Sequence, residues 1–463
     1  MVCTLISRPS AAQIPPNLGK GFRILLQQGL QIQAMVTPYP DELNLDLWKQ
    51  SNFTSIQWQW NATDLSLMGP APGLPWGEWV KFDYSQPTAA ELPYASNLIS
   101  LQCYDELDLT NPTNIQNLAG WFAAARPNFP NTLLFTNEEA YADAPTDIAA
   151  YMAAAQPDML MYDSYPVSTS FHIIGGSLNS LYADMAKMRT MGLAGNDGTG
   201  ANPIPVGHWF QTFSDFRLWP RFPSESEIRA QEFAGWTFGE KFESAFVYDN
   251  AAPGNNIYSE LFNGYGDSSP TPAFNQIAET NRLSLNLGPA LVRLLTTKVA
   301  YVSGMHKTST GATAVNQVPA GMQTWVSSRG DPYLTSISAQ NLGTLNNGLP
   351  GDVLLGWFKV LDESFDGPDY QNQFYFMVTN GLTDANGSAA DCRQQITMQW
   401  YFGNSGITQL QELDPNTGQV TVVPLTHISG ATWQLTITLD GGTGALFKFD
   451  TGAPFVGFYN VPE

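Results

Sequence analysis

The alternation of short apolar runs with helical patterns over residues 20–295 constrains this chain more than any other feature. "LQIQAMV" (30–36), "FTSIQWQW" (53–60), "LISLQCYDE" (98–106), "TLLFTNEEA" (132–140), "DMLMYDSYP" (158–166), "PIPVGHWFQTF" (203–213) and "FESAFVYDN" (242–250) read as strands. Helix-start signals stand between them. Asn111 and Pro112 open "TNIQNLAGWFAAA", and Ser224 with Glu227 forms a capping box ahead of "IRAQEFAGWTFGEK". This α/β rhythm favours a parallel sheet flanked by helices. A weaker run, "EWVKFDY" (78–84), lies in the Pro-, Gly- and Trp-rich stretch 61–97 and brings the strand count to eight, the number that closes a (β/α)8 TIM barrel. Without it seven remain, and an open sheet is the alternative; we expect the barrel.

After residue 295 the helical patterns stop. "DVLLGWFKVL", "QFYFMVT", "ITMQWYF", "GQVTVVPL", "WQLTITLD" and "GALFKFD" are strand-like, with turn signals such as "DPNTG" and "DGGTG" between them. An antiparallel β-sandwich is expected here. The expected domains are therefore a barrel over 20–295 and a sandwich over 296–463, consistent with a chain of 463 residues being too long for one core.

Charge narrows the partners. Charged residues are only 13% of the chain, yet 41 Asp+Glu stand against 20 Lys+Arg, a formal net charge of −21. Such a surface repels phosphate backbones and anionic membranes, whereas a neutral polysaccharide meets no such barrier. No nucleic-acid or membrane partner is expected, and oligomeric state is not legible. Cys3, Cys103 and Cys392 are too far apart for a CxxC motif, and Cys103, inside an apolar run, reads as a buried free thiol. Few lysines among many Asn, Gln, Thr, Tyr and Trp suit a secreted or periplasmic setting, although "MVCTLISRPSAAQIPP" is a poor signal peptide. His172, His208, His306 and His427 show no metal-ligand spacing, and no P-loop, GxGxxG or GxSxG motif is present, so neither cofactor nor metal is expected.

In a parallel barrel, functional side chains gather where strands end and loops begin. Those ends carry Trp58 and Trp60, Asp105 and Glu106, Asn137 with Glu138 and Glu139, Asp163 with Tyr165, His208 with Gln211, and Tyr248 with Asp249. Acids at several ends of a charge-poor chain point to a site. Paired carboxyls among aromatic rings suit glycoside hydrolysis: one protonated carboxyl donates to the leaving oxygen, and an ionised one attacks or activates water. Aromatic rings, Trp76 and Trp79 of the 61–97 stretch included, offer faces for sugars. Taken singly, each tryptophan also fits core packing, and His208 fits a sugar hydroxyl or a structural hydrogen bond equally.

"YDELDLTNPTNIQNLAGWF", "PDMLMYDSYP", "PVGHWFQTF" and "EIRAQEFAGWTFGEKFESAFVYDN" together resemble the (β/α)8-barrel glycoside hydrolases of clan A, which often carry a C-terminal β-sandwich. The resemblance implies a Glu proton donor at the end of strand 4, which on the eight-strand count is Glu106. It also implies a partner Glu at the end of strand 7, where this chain has Gln211. The second carboxylate then comes from another strand, with Asp163 first and Glu138 second. On a seven-strand count Glu138 becomes the donor and Asp249 its partner. Trp58, Trp60, Asp105, Asn137, Tyr165, His208, Gln211 and Asp249 are the expected substrate contacts. The missing strand-7 acid also leaves open a non-catalytic carbohydrate-binding protein on a degenerate barrel.

Overall fold

The computed structural model describes residues 18–37, 43–59, 73–168, 173, 175–215, 217–249, 257–264, 267–366 and 374–458. Helix α1 (Lys20–Gln28) leads into a closed barrel of eight strands, each paired in parallel with the next and the last with the first. These are β1 (Gln31–Val36), β2 (Ser55–Trp58), β3 (Trp76–Val80), β4 (Leu98–Asp105), β5 (Leu133–Glu139), β6 (Leu160–Asp163), β7 (Val206–Gln211) and β8 (Phe242–Phe246). The eight-strand count holds. The weak strand begins two residues earlier than expected, because the buried Trp76 anchors its start: the indole packs outward into the helix-facing core and donates to the Tyr94 carbonyl at 3.1 Å.

The barrel is wrapped by α2 (Leu45–Ser51), α3 (Pro112–Ala125), α4 (Pro145–Ala155), α5 (Asn179–Ala194), α6 (Glu225–Phe238) and α7 (Pro272–Leu291). The start signals act as expected. The Asn111 side chain accepts from the Thr113 N–H at 3.0 Å with Pro112 at the first helical position, and both halves of the Ser224–Glu227 capping box are formed.

Strand alternation sorts the side chains. On β7, Phe210 joins the core shared with the helices while Trp209 joins the barrel interior, and on β1 Ala34 and Met35 divide in the same way. The interior is partly polar: Gln33 on β1 donates across the barrel to Ser100 on β4 at 3.1 Å.

The antiparallel part follows, with β9 (Leu294–Val302), β10 (Leu334–Asn341), β11 (Val353–Val360), β12 (Tyr375–Asn380), β13 (Gln394–Tyr401), β14 (Gln409–Leu413), β15 (Val420–Pro424), β16 (Thr426–Ser429), β17 (Thr432–Leu439) and β18 (Gly444–Phe449). Six of them form a sheet in the order β9-β11-β12-β18-β14-β15, and four a sheet in the order β10-β13-β17-β16. The larger sheet is covered on both faces at its centre. Leu354, Phe358, Met377 and Leu446 pack against the barrel's helices, while Leu355, Trp357, Phe376 and Phe447 pack toward Met398 and Trp400 of the smaller sheet. This double burial is why "VLLGWF" and "FYFMV" are apolar at nearly every position, whereas β13 alternates.

Helix α6 is the joint, with every residue from Ser226 to Phe238 buried. It comes so close to the sheet that a Cβ on Gly356 would lie 2.3 Å from the Thr237 carbonyl oxygen, so the glycine has a steric reason. Cys103 and Cys392 are both buried free thiols. Among the described residues, no helix is long and apolar enough to cross a membrane.

Candidate active site

Two adjacent residues of a regular strand face opposite sides of a sheet, so Asp105 and Glu106 could not both enter a barrel from an ideal β4. The chain resolves this with a break in alternation. The pairing of β4 with β5 shifts register between Gln102 and Asp105, and Tyr104 (φ 61°) and Glu106 (φ 47°) both take the left-handed conformation. Tyr104 is turned outward, where its ring packs on Phe82 with centroids 4.2 Å apart. Asp105 and Glu106 are then both delivered to one cavity of about 170 Å³ at the C-terminal end of the barrel. Left-handed backbone at a bulky non-glycine residue costs on the order of 1–3 kcal/mol and persists where its surroundings enforce it.

Asp163, at the end of β6, faces the same cavity and shares a hydrogen bond with Glu106. Aromatic walls surround the acids: Trp79 from β3, Trp209 from β7, Tyr165, Phe213, Trp219 and Phe246. Several of these rings brace one another edge to face, with Tyr165 to Phe213 centroids 5.0 Å apart at 87° and Phe213 to Phe246 5.3 Å apart at 89°. A relay fixes Asp105. Trp209 Nε1 donates to Gln102 Oε1 at 3.1 Å, and Gln102 Nε2 donates to Asp105 Oδ1 at 3.1 Å. Asn137 Nδ2 also donates to that oxygen, at 2.9 Å.

These acids crowd one another, and among the described residues no lysine, arginine or histidine lines the cavity. Burial, then the neighbouring Glu106 charge, pushes the Asp105 carboxyl up to about 7, against the pull of its two amide donors. Burial raises Glu106 as well, and Glu139 beside the cavity adds to the effect. Asp163 is raised well above the ordinary carboxylate range, by burial first and by Glu106 second. Two carboxyls in hydrogen-bond contact hold a proton between them, because both cannot ionise at short range without a large Coulomb penalty.

Several expected contacts are placed elsewhere, mostly for reasons of strand parity. Glu138 lies between Asn137 and Glu139 and so faces the opposite side of β5; it is fully buried, its charge acts on Tyr151 of α4, and neither carboxyl oxygen has a hydrogen-bond partner. Trp58 packs into the helix-facing core. His208 points outward from β7 to Glu240. Gln211 holds loops: its side chain accepts from the Val167 N–H at 3.0 Å and donates to the Val167 and Phe213 carbonyls. Asp249 accepts from the Thr37 N–H and hydroxyl, at 2.8 and 3.0 Å. Trp60 and His172 lie outside the described residues. Asp105, Glu106, Asn137, Asp163 and Tyr165 are brought together. Sequence reading missed Gln102, Phe213, Trp219 and Phe246; strand parity from Asn137 and Trp209 pointed to the inward faces, but nothing marked the loop rings.

No protein-family model matches the chain, and no curated protein sequence matches it. Solved structures do. The chain is similar to an endo-β-1,4-mannanase from Thermotoga petrophila at 8% identity and a TM-score of 0.38, over 77% of this chain and 96% of that one. It is similar to a structure described as a glycoside hydrolase at 10% identity and a TM-score of 0.46, over 92% and 94%. A β-galacturonidase from Eisenbergiella tayi matches at 12% identity and a TM-score of 0.39, over 55% of this chain; the matched part spans 51% of that longer enzyme.

Proposed function

We propose that this protein is a glycoside hydrolase in which Glu106 is the proton donor. The observation that carries the reading is the Glu106–Asp163 contact inside an aromatic-walled cavity at the C-terminal end of the barrel. Glu106 is exposed whereas Asp163 is buried, which supports Glu106 as the acid that reaches a glycosidic oxygen. Asp163 keeps the pair protonated. As Glu106 delivers the proton, the pair is left with two facing negative charges, which makes it a strong base toward the water that completes hydrolysis. That water supplies the hydroxyl to the anomeric carbon and gives its proton to the pair where a covalent sugar intermediate has formed, or to the ionised carboxylate across the sugar where it attacks directly.

A nucleophile or base must stand across the sugar from the donor, at about 5–5.5 Å for retention or about 6.5–9.5 Å for inversion. Asp163, in hydrogen-bond contact with Glu106, is nearer than either. We therefore assign the ionised role to Asp105, which two amide donors hold by Oδ1 while Oδ2 remains outside those bonds. The volume, below the roughly 300–1,000 Å³ of pockets for drug-sized ligands, favours a single small unit at the reacting position. Among the described residues the lining carries no cationic side chain, which favours an uncharged sugar over a uronate. The composition supports an extracytoplasmic enzyme of oligo- or polysaccharide breakdown.

The test is Glu106→Gln on a panel of neutral oligosaccharides with product detection. Removal of a general acid should lower kcat/KM about 10²–10⁴-fold with the fold intact. Full turnover in that variant removes the donor assignment. Binding without any cleavage by the unaltered protein supports the carbohydrate-binding alternative instead.

A further inference from the structure

A second cluster of chemistry-bearing side chains lies on the other side of the barrel wall. His208 from β7, Glu243 from β8 and Glu240 just past the end of α6 meet between the barrel and that helix, all three essentially without solvent contact. One potential ligand atom from each lies within 4.8 Å of the others. His208 Nδ1 is 2.5 Å from Glu240 Oε2 and 4.0 Å from Glu243 Oε1. Glu240 is also anchored by the Tyr162 hydroxyl at 2.7 Å.

Glu243 is the anomaly. Both its carboxyl oxygens are buried with no hydrogen-bond partner. The charges acting on it are those of Glu232 and Glu240, both negative, while the buried Lys241 acts on Glu240. An unpaired buried acid of this kind costs several kcal/mol if ionised, so it stays protonated or finds a counter-charge. A Cβ on Gly235 would lie 2.3 Å from Glu243 Oε1, 2.7 Å from Glu240 Oε2 and 3.2 Å from His208 Cε1, so bare helix backbone cradles the cluster.

We propose that His208, Glu240 and Glu243 form a structural site for a first-row divalent cation such as zinc. One imidazole and two carboxylates are a ligand set such ions accept. With bonds of about 2.0–2.2 Å, ligand atoms around a tetrahedral ion stand about 3.3–3.6 Å apart. The ion displaces the proton between His208 and Glu240, opens that contact and draws Glu243 inward. The result ties β7, β8 and α6 at the joint with the antiparallel sheets. The spacing along the chain hid it, because the ligands come from three different elements.

The experiment is metal analysis of the full chain purified without chelator, together with zinc-edge X-ray absorption on protein refolded in Zn²⁺. The expected result is about one tightly held ion per chain, with imidazole nitrogen and carboxylate oxygen in its shell, lost in Glu243→Gln. Its removal by unfolding in EDTA and refolding without metal should lower Tm. A chain that is metal-free both as purified and after refolding with Zn²⁺ or Mn²⁺ overturns the proposal, as does a Glu243→Gln variant that keeps its ion. Should that variant not fold, the absorption spectrum of the unaltered protein decides, since a shell without imidazole nitrogen is equally fatal.

Discussion

At the scale of single residues, the site is a problem in ionisation. On the proposed assignment the proton donor works only while the Glu106–Asp163 pair is protonated; burial raises both carboxyls, with Glu139 adding to Glu106 and Glu106 adding to Asp163. Activity should therefore survive to higher pH than an ordinary carboxylate would allow and fall as the pair loses its proton. On the other side Asp105 must be ionised, and its value of about 7 sets a limb on which activity grows as pH rises through neutrality. The expected kcat/KM profile is a bell with its optimum at or above neutral pH, and an optimum at about pH 5 would contradict the assignment. Glu138 offers a test of stability alone. Its folded pKa is raised well above the unfolded value by burial, so the stability it contributes is present at low pH and lost as pH rises through the folded pKa. Glu138→Gln should match the parent Tm at about pH 4.5 and exceed it increasingly toward about pH 8, as differential scanning calorimetry would read.

At the scale of elements, parity explains both what could be read and what could not. The strand and helix rhythm, the two helix starts and the switch to antiparallel strands follow from local pattern, and each is found. Which strand-end residues meet follows from parity, and parity applied to β5 and β7 would have set Glu138 and His208 aside, since Asn137 and Trp209 face the cavity. Asp105 and Glu106 are the converse: regular alternation admits one of them, and only the left-handed turn at Tyr104 admits both. Such a turn depends on tertiary packing, here of Tyr104 on Phe82, and no residue preference announces it. The loop rings Phe213 and Trp219 were equally illegible, because nothing local says where a loop folds back. At the joint, Gly356→Ala would drive a methyl into the Thr237 carbonyl. We expect it to cost about 1–3 kcal/mol, seen as a lower midpoint in urea unfolding.

At the scale of the whole molecule, the antiparallel part serves the barrel as a wall. Helix α6 is buried along its length because sheet strands β11, β12 and β18 cover the side that the barrel does not. A chain truncated after Leu291 would expose that apolar side together with the helix faces beneath Leu354, Phe358 and Met377. It should accumulate as insoluble or dye-binding protein rather than as an independent barrel, measured by solubility and by fluorescence of a hydrophobic probe.

The kink at Tyr104 also sets a rule for anyone transplanting this chemistry. Copying Tyr104, Asp105 and Glu106 onto a straight strand of another scaffold would aim one acid at the mouth and bury its neighbour in the wall. The transferable unit is the bent segment with its aromatic clasp at Phe82, because orientation here is carried by two left-handed residues and one ring contact rather than by the letters alone.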